Sequence, residues 1–311
     1  MPEKSQIESQ IEEEPKLTEV GFVSLTARHY EEKHEKNEDA ALGEEDDVEA
    51  RQKLIFGVFD GVGGAKAGEI ASRMAKKEIW QILKEIKMEA SADLWVEAIK
   101  NALSSANKKI FAWGSVEPEW QGMATTATLV KIIEKPEGGA ELVYGHAGDT
   151  RLYILRAEGN LEQVTLDDTA NNEILTDFSR AGVITLEQVQ KFTQGTSMEE
   201  IEEAFRTEKE KEILRSLLSN RSIIEQYLGM SKKKFKPAVG KVNLKSGDRV
   251  IITSDGIHDN LTDEQIKNLL SVSADDQEAA EKIANGARLI SESGKFRSKD
   301  DDMTILVKTI K

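Results

Sequence analysis

Cysteine is absent from all 311 residues, which excludes disulfides, thiolate zinc sites and cysteine nucleophiles. Histidine occurs four times, at positions 29, 34, 146 and 258, so any metal site must rest mainly on carboxylates. No apolar stretch approaches the roughly 20 residues that a membrane span requires, and residues 1–14 lack the apolar core of a signal peptide. The expectation is a cytoplasmic protein with no membrane partner. Basic charge is short as well: 42 Lys and Arg stand against 57 Asp and Glu, a formal net charge of −15. A surface that negative repels phosphate backbones and disfavours non-specific nucleic-acid binding. What is present, 39% hydrophobic and 32% charged residues, is the balance of a soluble globular protein with one large or two small domains.

Residues 1–17 are acidic, with only Ile7, Ile11 and Leu17 as scattered large apolar groups, and read as a disordered tail. Residues 18–311 read as one domain. A strand is expected over 20–26, followed by an acidic run over 31–49 whose portion at 43–50 reads as a solvated loop. The apolar run 54–59 (LIFGVF) has no alternation, the mark of a strand covered on both faces. Helical spacing follows over 70–86 and again over 91–113, with Ser91 or Asp93 as N-cap. Strands are expected at 125–133, 141–147 and 152–156. The loop at 136–139 reads as a hairpin, and the tight turn at 148–151 as a second one. Residues 165–237 form a charged insertion containing a helix over 197–218, which is either a lid, a partner surface or simply solvated. A strand over 249–253, helices over 262–270 and 275–290, and a strand over 303–310 close the chain. Few of the strand links can be βαβ crossovers, so the order favours a mostly antiparallel α+β architecture.

The chemistry lies in where the aspartates fall. Asp60 ends the run 54–59 and Asp255 follows the strand 249–253; each is followed by glycine. Asp149 sits in the turn after 141–147, and Asp301 precedes the last strand. A carboxylate at the rim of a buried strand is held rigidly, and a glycine after it lets the backbone carbonyl approach a cation. Carboxylates gathered at one end of a sheet repel one another unless cations neutralise them, and all-oxygen ligation favours Mg²⁺ or Mn²⁺ over zinc. Asp-Gly is also an ordinary turn dipeptide, so spacing alone leaves both readings open. The cluster Gly61-Val62-Gly63-Gly64 matches neither phosphate-binding glycine motif, and no serine has the context of a catalytic triad. His258 reads as solvent-facing or turn-capping. Trp80, Trp95 and Trp113 read as core or interface residues.

Taken in order, several segments resemble the metal-dependent protein phosphatases of the type 2C serine/threonine family, in its bacterial form. They are Asn37-Glu38-Asp39-Ala40, FGVFDGVGG over 56–64, GMATTA over 122–127, GHAGDTRLY over 145–153, VTLDDT over 164–169, SDGIHD over 254–259 and DDMT over 301–304. The resemblance implies two packed antiparallel sheets flanked by helices, an α-β-β-α sandwich, with a flap insertion. It implies two Mn²⁺ or Mg²⁺ ions at one end. Asp60 would bridge both, the Gly61 carbonyl would bind one, Asp255 and Asp301 the other, and Glu38 and Asp39 would act mainly through waters. Asp149 matches a position that, with Asp255, can hold a third, looser ion. The implied reaction is hydrolysis of phosphoserine and phosphothreonine in a phosphorylated protein substrate, by activated water and without a phosphoenzyme. A regulatory partner at the flap or helical insertion is compatible with the same resemblance.

Two departures stand out. The family's phosphate-clamping arginine, three residues before Asn37-Glu38-Asp39, is here His34; Arg28, Lys33 or Lys36 are the nearby substitutes, although a bidentate fork is not readily replaced. Val62 stands where many eukaryotic members have a histidine. The first departure keeps open a catalytically weak or inactive relative that binds phosphoproteins or scaffolds; a hydrolase of small phosphorylated metabolites, which a deep, closed pocket would favour, is a third reading.

Overall fold

The computed structural model describes residues 19–27, 36–62, 67–185, 188, 203–219, 223–231, 233–293 and 298–311. The tail expected over 1–17 lies outside these residues, as do Arg28, Lys33, His34, Gly63 and Gly64. The described strands are β1 (Gly21–Leu25), β2 (Ala40–Leu42), β3 (Ile55–Phe59), β4 (Ala127–Glu134), β5 (Ala140–Ala147), β6 (Arg151–Leu155), β7 (Leu161–Gln163), β8 (Ala238–Leu244), β9 (Arg249–Thr253) and β10 (Met303–Thr309). The described α-helices are α1 (Val48–Gln52), α2 (Gly68–Leu83), α3 (Ala92–Val116), α4 (Ala170–Arg180), α5 (Glu208–Ser219), α6 (Asp255–His258), α7 (Asp263–Ser271) and α8 (Asp276–Ser291). None is long and apolar enough to cross a membrane.

The strands form two five-stranded sheets, β1-β10-β9-β6-β7 and β2-β3-β4-β5-β8, with every pairing antiparallel. Strand alternation explains the unbroken apolar run of β3. Phe56 and Val58 face the other sheet and pack with Leu152, Ile154, Ile252 and Leu306. Ile55 and Phe59 face outward into the layer of α2 and α3, against Ile79, Leu83, Trp95 and Ile99. β10 does the same on the far side, with Leu306 between the sheets and Ile305 and Val307 against Ile266, Ile283 and Ala287. The result is the expected α-β-β-α sandwich. Each large aliphatic side chain so buried contributes roughly 1.5–3 kcal/mol.

Helix starts agree with the sequence. Ser91 caps α3 by accepting the Leu94 N–H at 3.3 Å, and Thr262 with Gln265 forms a capping box on α7. Other expectations need correction. The turn after β5 is not a hairpin: β5 and β6 belong to different sheets, and Gly148 (φ +115°) carries the chain across between them. A Cβ at Gly148 would meet the Thr126 side chain at 2.5 Å. The acidic stretch 43–50 is not only loop, because α1 begins at Val48 and Lys76 pairs with Asp47 at 3.0 Å and with Glu44. The helix expected over 197–218 is, among the described residues, interrupted from Phe205 to Thr207; only α5 is continuous. The described part of the insertion is not merely solvated, since Leu175, Ile184, Phe205, Ile213, Leu214 and Leu217 bury one another. The strands β2, β7 and β8 carried no signal strong enough to anticipate.

Candidate metal centre

Asp60 leaves β3 with its backbone fixed. Its carbonyl accepts from Thr126 N–H at 2.8 Å and from the Thr125 hydroxyl at 2.7 Å, and its N–H donates to Thr126 Oγ1 at 3.2 Å. Ala40 and Phe59 are register partners, so Asp39 and Asp60, one step further on each strand, arrive together. Gly61 follows in a crowded place: its N–H donates to the Glu38 carbonyl at 3.2 Å, and a Cβ there would lie 2.6–2.8 Å from Gly68 and Glu38 backbone atoms. Asp149 stands at the crossing between the sheets. Asp255 and Asp301 flank the adjacent strands β9 and β10, which are joined beyond the ladder by Ser254 N–H to Thr304 O at 2.9 Å and Thr304 N–H to Ser254 Oγ at 2.8 Å. The architecture thus gathers Asp39, Asp60, Asp149, Asp255 and Asp301 at one end of the sandwich. Glu38 borders them, its carboxylate beside Gly68. Arg28 and His34 lie outside the described residues.

This crowding has an electrostatic cost. Burial pushes the Asp60 carboxyl well above the usual range, and Asp39, Asp255, Asp301 and Asp149 push it further. Asp39 and Asp149 are likewise raised well above the ordinary value, first by burial and then by neighbouring carboxylates. Asp255 is raised to about 7, burial outweighing its pairing with Lys299. Both carboxylate oxygens of Asp39, Oδ1 of Asp149 and Oδ1 of Asp255 are buried without a hydrogen-bond partner. The Thr304 and Ser254 hydroxyls stand near Asp39 and offset part of its rise, but neither completes a hydrogen bond to its oxygens. Buried carboxylate oxygens with no donor are what a hard divalent cation satisfies, so the residues fit Mn²⁺ or Mg²⁺. As the side chains stand, no three His, Asp or Glu groups among the described residues converge on one point at ligand distance. The charge found among them is Lys299, whose ammonium pairs with Asp255, with Asp301 at 3.0 Å and with Asp259 at 3.3 Å.

Around the aspartates the support is internal. Asp302 accepts Ala27 N–H at 2.7 Å and Glu38 N–H at 2.6 Å. His146 is buried between Thr128 Oγ1 at 2.8 Å and the Leu166 carbonyl at 3.0 Å, and burial lowers its pKa. His258, expected at the surface, is instead buried, with Nδ1 2.9 Å from Thr253 Oγ1; the turn of α6 folds it back onto β9. Lys299, Asp259 and Asp302 were not anticipated. For Lys299 and Asp302 a signal was available in the concentration of charge over 299–302, but only the pairing of β9 with β10 shows where it points.

The sequence profile described as protein phosphatase 2C matches residues 27–285. The chain belongs to the protein phosphatase 2C family. Protein phosphatase PhpP of Streptococcus pneumoniae serotype 2 is 28% identical over 231 residues, covering 73% of this chain and 78% of PhpP. The crystal structure of serine/threonine phosphatase Stp1 from Staphylococcus aureus superposes with a TM-score of 0.68 at 22% identity, covering 94% of this chain and 95% of Stp1. The catalytic domain of the serine/threonine phosphatase PstP, solved in complex with two manganese ions, gives a TM-score of 0.63 at 22% identity over 94% and 97% of the two chains. In this protein phosphatase 2C member the carboxylate cluster lies at the end of the sandwich where β3, β9 and β10 bring their terminal aspartates together.

Proposed function

We propose that this serine/threonine protein phosphatase hydrolyses phosphoserine and phosphothreonine at the carboxylate cluster, with two divalent ions held by Asp60, the Gly61 carbonyl, Asp255 and Asp301. The observation that carries this reading is the set of buried, donor-less carboxylate oxygens on Asp39, Asp149 and Asp255, a demand for cations that one lysine does not meet. When bound, Mn²⁺ or Mg²⁺ would supply Lewis acidity, lowering the pKa of water toward about 7 and stabilising charge on the transferred phosphoryl group. Asp60, rigid at the end of β3, fixes the shared edge of that site. Glu38 and Asp39 orient water through their carboxylates, with Glu38 held by Asp302. Asp149 has an unpartnered oxygen available to a third, looser ion. The manganese pair in the PstP complex supports the choice of ion.

Among the described residues, the histidines and the lack of cysteine favour direct attack by water over a phosphoenzyme. The chain has no cysteine, and His146 and His258 are committed to hydrogen bonds inside the fold.

The test is phosphate release from a phosphothreonine peptide at neutral pH with Mn²⁺, with Mg²⁺ and with EDTA, beside Asp255→Asn. Release that requires metal and disappears in the variant supports the reading. No release with either ion, from protein that binds Mn²⁺, overturns it in favour of a phosphoprotein-binding role.

A further inference from the structure

Lys299 is built into the site by its backbone. Its N–H donates to Asn260 Oδ1 at 2.9 Å, and Asn260 Nδ2 donates back to the Lys299 carbonyl at 2.9 Å and to the Gly256 carbonyl at 2.7 Å. Asn260 is 1% exposed, so a buried amide ties residue 299 to the turn that carries Asp255 and Asp259. From there the ammonium reaches Asp255 Oδ2, Asp301 Oδ2 at 3.0 Å and Asp259 Oδ2 at 3.3 Å. It serves one side of the cluster only. Asp39, with both oxygens unpartnered, lies on the other side, next to Asp60.

Resting on the two-ion reading above, we infer that Lys299 is a resident cation that competes with the divalent ion at the Asp255/Asp301 position, so that this position fills second and more weakly than the one at Asp60. Two effects act together. The ion needs carboxylate oxygens that Lys299 already holds, and a unit positive charge a few ångströms from a divalent ion repels it even through water. Coulomb's law at solvent-like dielectric makes that repulsion alone about tenfold or more in affinity. The consequence is a phosphatase whose full ion complement depends on metal concentration, through a side chain and not through a missing ligand.

The experiment is calorimetric titration of Mn²⁺ into the metal-free full chain, for wild type, Lys299→Met, Lys299→Gln and Lys299→Arg. The expected result is a tight and a weak step in wild type, with the weak step at least about tenfold tighter in Lys299→Met and Lys299→Gln and near wild type in Lys299→Arg. The Mn²⁺ concentration for half-maximal phosphate release falls in parallel. Two uncharged substitutions keep the test standing if one of them folds poorly. A weak step that is unchanged or weaker in both overturns the inference while leaving the two-ion reading intact. A wild-type chain that binds no Mn²⁺ overturns both.

Discussion

Asp39 and Asp60 meet because Ala40 and Phe59 are register partners across β2 and β3, and after burial it is Asp39 that most raises the Asp60 carboxyl. Two buried carboxylates set side by side in the fold destabilise it unless a cation or a proton intervenes. Substituting Asp60→Asn therefore has opposite effects on the two states. The metal-free protein melts at a higher temperature than wild type, because one repelling charge is gone. The Mn²⁺-induced rise in melting temperature shrinks, and phosphate release falls by at least about a hundredfold, the equivalent of the several kcal/mol a metal supplies to the transition state. Thermal melts with and without Mn²⁺, beside a turnover assay, check both signs. A variant with full activity rules out Asp60 as the bridging ligand.

Gly61 is constrained by contact and not by backbone conformation. A Cβ there would lie 2.6 Å from the Gly68 carbonyl carbon, 2.7 Å from its oxygen and 2.8 Å from the Glu38 carbonyl oxygen. These are backbone atoms, so neither side can rotate away. Gly61→Ala is expected to destabilise by about 1–3 kcal/mol, the range for overpacking, and to weaken Mn²⁺ binding by displacing the start of α2. A control at Gly138, where an added Cβ meets nothing within 4 Å, leaves metal binding unchanged although its positive φ (+94°) costs some stability. Denaturant melts and Mn²⁺ titration of the two variants separate the effects.

Much of this site was legible before the fold was known, because strand-terminal aspartates followed by glycine are a local pattern. Asp60, Asp149, Asp255 and Asp301 each follow or precede an apolar run that periodicity detects. The missing parts are non-local. The turn 148–151 reads as a hairpin from its own residues, and only the pairing of β5 with β8 and of β6 with β9 shows that it joins two sheets. His258 looks like a surface residue in SDGIHD until the single turn of α6 brings it onto Thr253. The role of Lys299 depends on Asn260, 39 residues away in sequence.

Asp302 ties two distant backbone segments to the start of β10. Its Oδ1 takes the Ala27 N–H and its Oδ2 the Glu38 N–H, so it fixes the end of β1 and the residue preceding Asp39 at once. Hydrogen bonds to a charged group contribute about 1.5–3 kcal/mol each. Asp302→Ala is expected to lose both and to lower stability by about 3–6 kcal/mol on that basis, with weaker Mn²⁺ binding because Glu38 and Asp39 are released. Asp302→Asn keeps one acceptor oxygen and shows a smaller loss of each. Equal losses in the two variants sink the two-donor account, and urea melts with Mn²⁺ titration decide it.

Lys131 provides a pH test remote from the carboxylates. It is 2% exposed on β4, donates to the Lys53 carbonyl at 2.6 Å and lies 5.3 Å from the centre of the Trp95 ring. Burial lowers its pKa to about 8, below the ordinary 10.5 that applies to the unfolded chain. Between these values the unfolded state binds more protons than the folded one, so this group's contribution to stability rises as pH rises from about 8 to 10.5. Below pH 8 the buried charge costs folding a fixed amount. Lys131→Met removes the charge and keeps most of the stem that packs on Trp95, at the expense of the hydrogen bond to Lys53. The variant is expected to gain most over wild type at pH 7, and the gain narrows steadily toward pH 10.5 as the wild-type lysine becomes neutral in both states. Paired denaturant melts across that range measure the difference directly. A stability difference that does not vary with pH means that Lys131 titrates normally in the folded protein, and that its hydrogen bond to Lys53, not its burial, controls its charge.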